Sequence, residues 1–186
     1  MQPQAWVELA TNPVATADGT ALASSTSLTA ISPSASTNPA YTIPANRLFP
    51  GAAIRVRGYG RVSTTGTPTL LLGVYSGGAG GTALGTTGAI TTTSGVTNVP
   101  WFLEALIVCR TIGSSGTLFT QGLVTGISGT AGVSAVPIPA SAPAAVTVDT
   151  TTAKTLDLCA QWGTNSASNT ITQHLWIVEG LNVSLV

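Results

Sequence analysis

Along "AIRVRGYGRVS" (53–63) apolar and polar residues alternate one for one, with Ile54 and Val56 on one side and Arg55 and Arg57 on the other. That period of two predicts a β-strand with one dry and one wet face. Ahead of it, "IPANRLFPG" (43–51) holds a proline that ends a strand and the turn formers Asn46 and Pro50-Gly51, a tight corner between two strands. "TLLLGVYS" (69–76) is apolar on both parities and reads as a central strand. "PWFLEALIVCRTI" and "GTLFTQGLVTGIS" flank the turn "GSSG" and predict an antiparallel hairpin in the middle of the fold. In "KTLDLCAQWG" Leu156, Leu158, Ala160 and Trp162 share one parity, which marks a core face.

Between these runs the punctuation is Gly, Pro, Ser and Asn. The Gly/Thr-rich stretch 77–97 predicts a long surface loop or an irregular hairpin, with a short strand around 83–90. The proline-rich stretch 135–145 cannot be a central strand and is expected to cross the surface as an extended connection. Few windows carry apolar residues at helical spacing without Gly, Pro or clustered Thr. The expected fold is therefore all-β: about eight to ten strands in a two-sheet antiparallel β-sandwich of jelly-roll type. Its expected organisation is an N-terminal arm or first strand over 1–20 and a single sandwich domain over 21–186.

Charge sharpens this picture. Only 6% of residues are charged, against about 25% in ordinary globular chains, and six basic residues balance six acidic ones. No basic excess exists to neutralise a phosphate backbone, so nucleic acid is not an expected partner. A chain of zero net charge has little repulsion between copies, which points to surfaces covered in an assembly. The opening "MQPQAWVELATNP" has neither a basic nor an apolar signal region, and the expected site of synthesis is the cytosol. The most apolar run, "WFLEALIVC" (101–109), is about half the ~18–20 residues a membrane helix needs, so no membrane role is expected.

Candidate chemistry is sparse. His174 is the sole histidine and no GxSxG elbow accompanies it. Sharing a parity with Trp176 and Val178, it suits a hydrogen-bonded side chain at a sheet face or subunit contact. Cys109 and Cys159 have no metal-ligand spacing and are expected to be reduced and buried. Asp149 and Asp157 could be imagined as a glycosidase pair or a calcium site, yet "VDTTTAKTLD" reads as a turn whose side chains satisfy backbone groups. "GGAGGTALG" lacks the following helix that a phosphate cradle requires. No enzyme activity, cofactor or metal is expected.

Assembly features remain. Trp6 is a large ring on a short N-terminal segment that needs burial, on its own domain or on a partner. Arg47, Arg55, Arg57 and Arg61 cluster in sequence. Their planar forks suit carboxylates of another subunit, or of Glu104 and Glu179 within the chain. Trp6, Arg47, Arg55 and Arg57 are the candidate interface residues. On the subunit reading, reversing Arg55 and Arg57 to Glu weakens assembly and leaves the monomer fold intact.

The corner "YTIPANRLFPGAAIRVRGYGRVS", the central "PWFLEALIVCRTIGSSGTLFTQG" and the final "KTLDLCAQWGTNSASNTITQHLWIVEGLNV" together resemble small β-sandwich structural proteins of tailed bacteriophages. Those most alike are capsid decoration proteins, also called head auxiliary or minor capsid proteins. The resemblance covers most of the chain and lies in layout and texture, with no single diagnostic motif. It implies a jelly roll, commonly a homotrimer, bound to the major capsid protein on the outside of the virion and assembled in the host bacterial cytoplasm. The alternative is a tail-tip or fibre head domain that binds a host-surface glycan, since jelly rolls also serve lectins. A hydrolase acting on cell-wall sugar is a weaker third option and needs two carboxylates at catalytic separation.

Overall fold

The computed structural model describes residues 7–10, 16–31, 40–127 and 135–183. Its elements, all strands, are β1 (Glu8–Leu9), β2 (Thr29–Ala30), β3 (Tyr41–Ile43), β4 (Ala53–Ser63), β5 (Thr69–Ser76), β6 (Thr82–Thr86) and β7 (Ile90–Thr91). They continue with β8 (Val99–Thr111), β9 (Thr117–Thr125), β10 (Ala135–Ile138), β11 (Ala145–Thr147), β12 (Lys154–Trp162) and β13 (Thr170–Gly180).

Two antiparallel sheets result. The seven-stranded sheet runs β1-β13-β4-β8-β9-β10, with β11 also on β9. The six-stranded sheet runs β2-β12-β5-β6, with β3 also on β12 and β7 on β5. The pairs β1–β13, β2–β12, β4–β8 and β5–β6 are those of one long folded-over hairpin wound around a core, with its strands dealt alternately to two layers. That winding is the jelly roll. Strands β9, β10 and β11 lie between the sixth and seventh strands of the roll and widen one sheet. They, with β3 and β7, take the strand count past the eight to ten expected.

Alternation explains the central strands. In β4 every second residue from Ile54 to Val62 is buried and none of those between them is. β5 and β12 are buried on both parities, since Gly73, Tyr75, Asp157 and Cys159 are covered as well as Leu72, Val74, Leu156 and Leu158. The outer side of the six-stranded sheet is therefore dry at its centre.

The corner 43–52 forms as its sequence demands. Asn46 and Gly51 take left-handed backbone (φ 57° and 90°), and the Gly51 amide donates to the Cys109 carbonyl at 2.8 Å, tying the corner to β8. The stretch 77–97 is the irregular hairpin, with β6 and β7 both on β5. The stretch 135–145 departs from expectation, because β10 and the start of β11 pair with β9. Proline denies a strand one donor, which an edge strand does not need on its open side, so Pro137 sits in the ladder opposite Leu123.

Between the sheets lies one continuous core that buries Trp101, Trp162 and Trp176. Gly60 and Gly58 face inward on β4, opposite Trp101 and Leu103 on β8. A Cβ on Gly60 would lie 2.5 Å from the Trp101 ring and 1.9 Å from the Thr172 carbonyl oxygen, so a bare backbone there makes room for the indole. Trp101 Nε1 donates to the Arg61 carbonyl at 3.2 Å, and Trp162 Nε1 to the Leu22 carbonyl at 3.2 Å.

Candidate association surface

The outer face of the seven-stranded sheet follows from the same alternation. Arg55, Arg57, Tyr59 and Arg61 point outward from β4. Their register partners on β8 are Leu106, Glu104, Phe102 and Pro100. On β13, Glu179, Ile177 and Leu175 lie opposite Arg55, Arg57 and Tyr59, and on β9 Leu123 lies opposite Glu104. β1 adds Leu9 beside Glu179.

The charges at its centre are paired within the chain. Arg55 Nε donates to Glu179 Oε2 at 2.7 Å, and Arg57 Nε to Glu104 Oε2 at 2.9 Å. Arg57 Nη1 also lies 3.8 Å from Glu179 Oε2, which joins the four side chains into one cluster. The hydrogen bond that Arg55 donates to Glu179 raises its guanidinium above the usual range. Two positive and two negative groups leave this centre neutral.

Around the cluster the face is largely apolar, with Arg61, Arg110 and Gln121 as its exposed polar positions. Leu9, Leu106, Leu123 and Leu175 are each between 37% and 44% exposed, four of the seven exposed large apolar side chains among the described residues. Tyr59 and Phe102 pack with ring centroids 5.0 Å apart, and Arg110 stacks over Phe119 at 4.3 Å.

Arg55 and Arg57 are thus brought together, facing away from the core. Their nearest acids are Glu104 and Glu179 of the same chain, so reversing both arginines would set four carboxylates side by side. The expectation that such a reversal spares the monomer is corrected on that ground. Arg47 lies apart from them, half-buried on the corner. Its charge acts on Tyr41, whose hydroxyl is pushed up to about 12 by burial first and by Glu8 second, with Arg47 opposing. Trp6 lies outside the described residues.

The leucines had a signal that charge drew attention away from. In "WFLEALIVCR" the parity of Glu104 also carries Phe102, Leu106 and Val108, an apolar stripe on the side opposite the core residues Trp101, Leu103, Ala105 and Ile107.

His174 does not share a face with Trp176 as its spacing suggests. The β4–β13 register shifts between Gln173 and Leu175, and His174 occupies that irregularity. Its Nδ1 lies 2.6 Å from Asp18 Oδ1, and Arg61 reaches the same carboxylate at 3.7 Å. These contacts fasten the segment around Asp18 to β13, where the Gly19 amide donates to the Gln173 carbonyl at 2.8 Å.

Asp149 is engaged in its own turn. Its Oδ1 accepts from the Thr151 amide at 2.9 Å and the Thr151 hydroxyl at 2.6 Å, and those bonds hold the carboxyl below the usual range. The cavity beside it is about 10 Å³, room for one water and no substrate. Asp157 is buried on β12. Cys109 and Cys159 are buried free thiols on different sheets, and burial, with the Asp157 charge second, pushes Cys159 up to about 12. Among the described residues no three His, Cys, Asp or Glu side chains gather as a metal site.

No protein-family model and no curated protein matches the chain. Among solved structures it is similar to the CBM2 module of the evolved Dit of Lactobacillus casei BL23 phage J-1, at 12% identity over 94% of this chain and 79% of that one, with a TM-score of 0.36. So loose a likeness bears on neither fold nor function.

Proposed function

We propose that this chain is a non-enzymatic structural protein of a tailed-phage virion that decorates and stabilises the capsid exterior as a homotrimer on the major capsid protein lattice. The observation that carries the reading is the outer face of the seven-stranded sheet, where exposed leucines surround a charge cluster already neutralised within the chain. Such a face suits packing against protein and offers little to a reaction. The resemblance of the corner, the central hairpin and the last two strands to decoration proteins supplies the setting.

The glycan-binding alternative calls for exposed rings beside a groove. Trp101, Trp162 and Trp176 are core residues, and the open groove of about 290 Å³ next to Gln161 and Thr69 borders a Trp162 that is fully buried.

The test is to locate the protein in purified particles by gold labelling and direct imaging. Recovery on DNA-filled, tailless heads supports decoration. Recovery at the tail tip, with binding of the isolated protein to bacterial envelopes, overturns it in favour of glycan recognition.

A further inference from the structure

We propose that copies of this chain pack on one another through the outer face of the seven-stranded sheet, with the Arg55–Glu179–Arg57–Glu104 cluster at the centre of the contact and Leu9, Leu106, Leu123 and Leu175 around it. The inference deepens the reading above by naming the surface on which self-assembly rests.

Three features select this face and this occupant. The roll treats its two outer faces differently. On the six-stranded sheet Gly73, Tyr75, Asp157 and Cys159 are already buried, whereas on the seven-stranded sheet the leucines stand open to solvent. Among the described residues, the sheet face with leucines left to cover is that of the seven-stranded sheet.

Charge decides what can cover it. A surface that meets its own copy must not present a block of one sign, because like charges across an interface are strongly unfavourable. Here two arginines and two glutamates close on one another, so a second copy meets a patch of zero net charge, with guanidinium N–H groups left to bond across the contact. A partner of biased charge would call for unpaired groups of the opposite sign at this centre. Among the described residues the Arg61–Asp18 contact likewise closes within the chain.

Size is sufficient as well. Six strand positions at about 4.8 Å, over some nine residues of about 3.3 Å, span roughly 700–900 Å². A stable contact needs about 800 Å² from each partner.

The experiment is sedimentation of the purified full chain, wild type against the double variant Leu106→Glu and Leu175→Glu. Both changes fall at exposed positions, Leu106 opposite Arg55 and Leu175 opposite Tyr59, between Arg57 and Arg61; because a carboxylate at 106 stands two residues from Glu104 on the same face, circular dichroism and the melting temperature check that the fold is kept. Wild type is expected at two or more times 18.5 kDa and the double variant at 18.5 kDa, with the same circular dichroism. Ile112→Glu, on the β8–β9 turn and more exposed to solvent than either leucine, serves as the control and is expected to assemble like wild type. A wild-type monomer at high concentration overturns the inference, as does a double variant that assembles like wild type. Equal loss in the Ile112 variant assigns association to the end of the sandwich and also overturns it. None of these outcomes depends on whether virions carry the protein on head or tail.

Discussion

Gly60→Ala adds one methyl group at the point where β4, β8 and β13 crowd together. The new Cβ would fall 1.9 Å from the Thr172 carbonyl oxygen and 2.5 Å from the Trp101 ring, both far inside contact distance. Neither neighbour can retreat freely. Thr172 belongs to the β13 backbone opposite Arg61, and Trp101 is anchored through Nε1 to the Arg61 carbonyl. Relief requires the strands to part by about 1 Å or the indole to leave its slot, at the upper end of the 1–3 kcal/mol typical of overpacking. A loss of about 3 kcal/mol lowers the melting temperature by roughly 6–12 °C in a chain of this size. Gly80→Ala is the matched control, since nothing lies within 4 Å of its added Cβ and its φ is not positive. It should stay within about 0.5 kcal/mol of wild type. Thermal unfolding followed by circular dichroism reads both. A Gly60→Ala protein that melts within about 2 °C of wild type would refute the steric account of this strand.

Glu179→Gln leaves Arg55 without its carboxylate and weakens the hold on Arg57, and should cost about 1–3 kcal/mol, seen as a lower urea midpoint at unchanged slope. An unmoved midpoint would show the cluster to be energetically idle. Cys159 titrates near 12 in the folded chain against 9.0 ordinarily, so its contribution is complete below about pH 9 and declines as the pH climbs towards 12. Urea unfolding at pH 8 and pH 11 should therefore show a larger loss for wild type than for Cys159→Ala, and equal losses would contradict this. Asp18→Asn removes the carboxylate shared by His174 and Arg61 and should speed amide exchange at Gly19, with unchanged protection there as the contrary result.

The alternation in 53–63 and the corner before it were legible because period and turn chemistry are local properties. The jelly-roll winding was legible only as a class, since which strand pairs with which depends on contacts between residues far apart, such as Glu8 with Gly180. Two misreadings share a cause. Prolines in 135–145 argue against a central strand but cannot distinguish a crossover from an edge strand, and the spacing of His174 cannot reveal a bulge between its neighbours. The candidate surface was half visible. Its arginines stand out against so few charges, while Leu106 sits in a run that is apolar on both parities, where period alone does not separate the outer side from the core side.

The pairing of β1 with β13 sets a condition on biosynthesis. Ribosomal synthesis delivers Glu8 long before Gly180, and β4, a central strand of the wider sheet, has an open flank until β13 emerges. Nascent chains must wait with a long hydrogen-bonding edge unfilled, in a polypeptide whose scarce charges give little protection against sticking. Slow, all-at-once closure of the roll is the expected kinetic signature, and crowded translation on one message is where such a chain is most exposed to aggregation.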